Sequence, residues 1–176
     1  MIRKTKIHSK NPVVKSCFYR GLVLHAFIYL ENDMSACLAE FFSGNNDYYW
    51  TFMEVIGDRM TFESKRASLK FLMERIETKQ GFIKTKNNRY KCADLFNELR
   101  LLNDQRNYFA HYIFYNMPSR KEYAIVLTDY RDNGNEHFYI EEDIDKLLIR
   151  IDTAKKSIVE IYMNHRKSTE AVPDED

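Results

Sequence analysis

Apolar positions along the chain recur at helical spacing over four long stretches and alternate over one short one. Asn11-Pro12 reads as an N-cap followed by the first helical position. A helical pattern then runs from about Val13 to about Phe42 and stops at Ser43-Gly44-Asn45-Asn46. Val14, Phe18, Gly21, Leu22, His25 and Ile28 lie along one side of it, with Gly21 a weak point or a place of close packing. The stretch DYYWTFMEVIG, 47 to 57, is ambiguous between a short helix and packed loop. Thr61 caps a second long helix whose apolar set is Phe62, Leu69, Leu72, Met73 and Ile76. It ends near Lys79-Gln80-Gly81, a cation and then glycine. FIKTKNNRYK follows as a polar, basic connection.

A third long helix covers roughly Cys92 to Asn116 and must end before Pro118. EYAIVLT and HFYI alternate like strands around Asp132-Asn133-Gly134-Asn135, and Asn-Gly is the strongest short hairpin signal in the chain. The last helix runs from about Glu141 to about His165, acid-rich at its start, with Ile144, Leu147, Leu148, Ile151, Ile158, Ile161 and Tyr162 apolar. STEAVPDED is a polar tail. The expected fold is all-α: a bundle of about four long helices with one β-hairpin between the third and last long helices. Residues 1–11 form an N-terminal arm, 12–165 the helical domain and 166–176 the tail, with no internal repeat.

The length of 176 residues suits one domain with a full core. Hydrophobic content of 44% and charged content of 30% place the chain in the ordinary globular class. A formal net charge of +1 means that any nucleic-acid binding must come from a local patch. Only 5 Gly and 3 Pro are present, which favours long helices over a sandwich or barrel. Cys17, Cys37 and Cys92 have no C-x-x-C spacing, which argues against a disulfide framework and a zinc ribbon and fits a reducing cytoplasm. GLVLHAFIYL, after the basic N-terminus, reads as a core helix segment, with a signal peptide as the alternative; no stretch is expected to span a bilayer.

One position breaks the pattern. At about 100° per residue, Leu95, Leu99, Leu102, Phe109 and Ile113 fall in one sector of the third helix, and Arg106 falls in the same sector. Burying an unpaired guanidinium costs several kcal/mol, so it needs a carboxylate, carbonyls, an anionic ligand or a path to solvent. Asn107 and His111, spaced i and i+4, share the neighbouring face with Asn103 and Ala110. Arg106 and His111 leave an ideal helix about 140° apart, so two copies packed together would line a shared cleft better than one. Arginine can neutralise a phosphate and the charge that grows on its oxygens. Histidine can move a proton to or from the 2′-hydroxyl or the leaving oxygen of RNA. Asparagine can hydrogen-bond the phosphate or orient the imidazole. The 2′-hydroxyl is an internal nucleophile, so this chemistry needs no metal or other cofactor.

R106-N-Y-F-A-H111 resembles the R-x4-6-H motif of the HEPN family, whose members are often metal-independent ribonucleases. In that family a polar residue, often Asn, commonly follows the arginine, as Asn107 does here. The resemblance covers most of residues 12 to 165. It implies a small helical bundle, a homodimer with a composite active site, and an RNA substrate. It also implies a toxin or phage-defence setting in the cytoplasm, with an antitoxin or defence-system protein as partner and no membrane. By this resemblance Arg106 holds the phosphate, His111 is the general acid or base, and Asn107 positions one of them. Arg3 and His8, Arg20 and His25, and Arg131 and His137 meet the same spacing. Only the Arg106 pair has a polar follower, a small residue before the histidine and a leucine-rich helix leading in. Some HEPN toxins carry a tyrosine two residues after the histidine, the target of a partner nucleotidyltransferase; Ile113 stands there.

Other residues admit an RNA role beside a plainer one. Lys84, Lys86 and Arg89 could grip a backbone with Tyr90 stacking on a base, against a solvated loop; Tyr112 is a further RNA-binding candidate. Tyr48, Tyr49 and Trp50 suit an aromatic core or dimer contact better than a base platform. His25 reads as a core-edge residue, and the scattered histidines have no metal spacing. The chain has no P-loop, G-x-G-x-x-G, G-x-S-x-G or H-E-x-x-H. The main alternative to a nuclease is a catalytically inactive HEPN-like dimer acting as an RNA-binding or protein-interaction scaffold. An antitoxin or immunity partner is a third reading.

Overall fold

The computed structural model describes residues 7, 9, 11–43, 48–81, 90–114, 123–129 and 134–170. Its helices are α1 (Pro12–Ser43), α2 (Tyr48–Val55), α3 (Phe62–Lys79), α4 (Ala93–His111) and α5 (Glu141–Glu170), with a single 3-10 turn at Gly57–Arg59. Strands β1 (Ile113–Phe114), β2 (Ile125–Asp129) and β3 (Asn135–Tyr139) form one antiparallel sheet in the order β1-β2-β3. Among the described residues the protein is therefore mostly helical, with four long helices and one short one. The expected hairpin is β2–β3, and β1 widens it to three strands. That third strand corrects the sequence reading: α4 stops at His111, and Ile113 and Phe114 pair with Thr128 and Leu127 instead of continuing the helix.

Local chemistry explains the ends. Asn11 accepts from the Val13 amide (2.9 Å) and Thr61 from the Ser64 amide (3.1 Å), each covering an orphan donor of its helix. Gly81, at φ +75°, takes the left-handed position after α3 that a side chain would strain. Gly134, at φ +76°, does the same for the β2–β3 turn, and its amide bonds the Asp129 carbonyl.

The chain divides into two compact units. The first holds residues 1–29 and 101–152, and so contains the sheet. Its buried side chains include Tyr19, Val23 and Phe27 from α1, Leu102 and Phe109 from α4, Ile125, Val126 and Leu127 from β2, and Ile144, Leu147, Leu148 and Ile151 from α5. Lys15 meets Glu141 at 3.1 Å. Burial and a hydrogen bond to Glu141 push the Tyr19 hydroxyl up to about 12. The second unit holds residues 30–100 and 153–176. Phe62, Lys65, Leu69, Met73 and Glu77 form the buried line of α3. Lys65 faces Glu31 at 3.9 Å, and Glu77 accepts from the amides of Lys91 and Cys92 just before α4.

Three expectations change. α1 buries Ser16, Tyr19, Val23, Phe27, Leu30 and Met34, while Val14, Gly21, His25 and Ile28 are exposed, so the side that the spacing picks out is not the buried one. The reason is that α1 is apolar nearly all round, and its periodicity points weakly. For the same reason α1 as a whole is long and apolar enough to cross a bilayer, which the ten-residue run alone did not suggest. Finally, a Cβ at Gly21 would meet nothing within 4 Å, so that glycine serves no close packing.

Candidate functional site

The site residues come from the last three turns of α4 and what the first unit packs against them. Leu102 and Phe109 are fully buried, at 0% exposure each. Arg106 stands between them on the same line of the helix, four residues after one and three before the other, and is half-buried. A guanidinium thus occupies a place that its neighbours give to core side chains. Its Nη1 donates to Oδ1 of Asn107 at 3.5 Å, a long hydrogen bond. Asn107 lies on the helix face that also carries His111 by helical spacing.

His111 is the last residue of α4 and is exposed. The last carbonyls of a helix have no partner inside it. Here Arg20, from α1, donates its Nη2 to the carbonyl of Ala110 at 2.9 Å. A second guanidinium therefore meets the backbone one residue before the exposed histidine. The Tyr112 amide still bonds the Tyr108 carbonyl at 3.1 Å, and pairing with β2 begins at Ile113. The turn that carries His111 is thus held from the helix, from α1 and from the sheet.

β3 crosses α4 beside it. Tyr139 packs its ring on Phe109 (centroids 5.0 Å apart) and donates its hydroxyl to Gln105 Oε1 at 2.9 Å. Burial drives the Tyr139 hydroxyl far above its usual range. Two residues earlier on the same face of β3, His137 lies nearly parallel to Tyr108, with centroids 4.0 Å apart and an interplanar angle of 23°. Tyr112 closes the cluster at 5.0 Å from Tyr108 and 5.4 Å from His137. Burial lowers the His137 pKa below its ordinary value, and the Asp129 carboxylate only partly opposes this.

Of the predicted residues, Arg106 and Asn107 are joined directly, and His111 lies on the adjoining helix face. Tyr112 is half-buried in a ring cluster. Lys84, Lys86 and Arg89 lie outside the described residues, as does His8. Tyr90 bonds the Thr78 hydroxyl at 3.2 Å. His25 is exposed and packs edge-on against Tyr29. Tyr48 and Trp50 are 69% exposed, against the expectation of an aromatic core at α2 within a single chain. Sequence reasoning missed Arg20, Tyr108 and His137. Arg20 and His137 had each entered only as halves of rejected spacing matches. Among the described residues, no three His, Cys, Asp or Glu side chains gather as a metal site.

Compared with known proteins, the chain matches no family model, no curated protein and no solved structure.

Proposed function

We propose that the protein is a metal-independent endoribonuclease of the HEPN type that works as a homodimer. The observation that carries this reading is the placing of Arg106: a half-buried guanidinium in the core line of α4, bonded to Asn107, with His111 exposed at the end of the same helix. The second cation, Arg20 at the Ala110 carbonyl, adds to it, because it stands one residue before His111 and the reaction concentrates negative charge on the phosphate.

In this mechanism Arg106 binds the phosphate between two nucleotides. The imidazole of His111 takes the proton of the 2′-hydroxyl, whose oxygen attacks the adjacent phosphorus. The bond from phosphorus to the 5′-oxygen breaks, and that oxygen takes a proton from the second His111 of the dimer. The products are a 2′,3′-cyclic phosphate and a 5′-hydroxyl end. Asn107 keeps the guanidinium turned toward the phosphate. Two copies are needed because Arg106 and His111 leave one helix about 140° apart. The setting that goes with this activity is the cytoplasm, as a toxin or a phage-defence effector held in check by a partner protein.

The test is incubation of single-stranded RNA and of DNA of the same sequence with the protein in EDTA. Cleavage of the RNA alone, leaving cyclic phosphate ends, is expected, since DNA lacks the nucleophile. Binding of the RNA with no cleavage would leave the scaffold reading in its place. Cutting of both nucleic acids would contradict the mechanism.

A further inference from the structure

The rings of Tyr108, Tyr112 and His137 are more than the packing of sheet on helix. Packing at that crossing is already done by Tyr139, 8% exposed, over Phe109. His137 and the two tyrosines sit beside this contact and remain half-exposed. Tyr108 is three residues before His111 and Tyr112 directly follows it, so the cluster adjoins the histidine face of α4.

From this, and resting on the nuclease reading above, we infer that Tyr108, Tyr112 and His137 form a stacking surface for a nucleobase of the RNA bound at Arg106 and His111. Three flat side chains within 5.4 Å of one another, rimmed by solvent, suit an aromatic ring. A base suits this surface better than a phosphate because what the cluster presents is ring faces, and burial lowers the pKa of the one ring in it that can take up a positive charge. A neutral ring stacks on a base; it does not attract a phosphate. The backbone is left to Arg106 and Arg20.

The experiment uses full-length protein with His111→Ala, to stop turnover, and a fluorescent single-stranded oligoribonucleotide in an anisotropy titration at several salt concentrations. Adding Tyr112→Ala or His137→Ala is expected to weaken binding about ten-fold or more without changing the slope of log affinity against log salt. Adding Arg106→Ala is expected to lower that slope by about one. His137→Phe keeps a stacking ring and is expected to keep the affinity, which separates lost stacking from lost folding. An oligomer of the same length with abasic sites is expected to bind weakly and to be indifferent to His137→Ala. RNA binding unaltered by Tyr112→Ala and His137→Ala in folded protein would overturn this inference while leaving the nuclease reading intact. Failure of the protein to bind or cleave any RNA would overturn both.

Discussion

The guanidinium of Arg20 donates to the backbone carbonyl of Ala110 at 2.9 Å, so a side chain from α1 finishes the helix whose last residue is His111. A charged donor on a part-buried carbonyl is worth about 1.5–3 kcal/mol. Arg20→Ala is expected to lower unfolding stability by that amount and to loosen the turn that carries His111. Hydrogen exchange at the Tyr112 amide reads the second effect, and faster exchange there in the variant than in the wild type is expected. Equal exchange in wild type and variant would mean that the bond holds nothing in place.

Gly21 follows Arg20 inside α1, and a methyl group there would meet no atom within 4 Å. Glycine in a helix interior is less stable than alanine by about 1 kcal/mol. Gly21→Ala is therefore expected to stabilise the protein by about that much in a denaturant titration. A destabilised variant would show that the glycine has a contact that the single chain lacks.

The three thiols should separate by reactivity. Cys17 is exposed, whereas Cys37 and Cys92 are buried. Burial, with Glu40 beside the first and Glu77 beside the second, pushes each of these two up to about 12. Iodoacetamide at neutral pH is expected to label one cysteine quickly in the native protein and two more after denaturation. Mass spectrometry of the labelled peptides reports which, and fast native labelling of Cys37 or Cys92 would contradict the packing described.

Much of this architecture is legible in the sequence. Thr61, Gly81, the acidic start of α5 and the Asn-Gly turn are local signals, and each fell where its own chemistry put it. Arg106 was legible too, because one charged residue inside an apolar line is a local contradiction. What was not legible depends on distant pairing. Helix α4 had no internal reason to stop at His111, yet β1 gains a strand partner in Thr128 and Leu127. The buried line of α3 admits Lys65 and Glu77 because Glu31 and two backbone amides answer them. Likewise His137 meets Tyr108 only after β3 is laid across α4.

That crossing also sets a pH dependence. The His137 pKa is lowered on folding, so between the lowered value and the ordinary 6.5 the unfolded chain binds more protons than the folded one. Stability contributed by the neutral ring is therefore present above pH 6.5 and falls as pH drops toward the folded value. His137→Phe has no such proton to bind. The gap in stability between variant and wild type should widen in the variant's favour as pH is lowered through this window. A gap that does not change with pH would mean that the ring titrates as it does in the unfolded chain.

The most direct measurement compares cleavage of single-stranded RNA in EDTA by wild type, Arg106→Ala and His111→Ala, with light scattering of each protein alongside. The account predicts cleavage by the wild type, a loss of about a hundred-fold or more in each variant, and dimers in all three. Equal rates in the three preparations, or a wild type that cuts nothing, would contradict it.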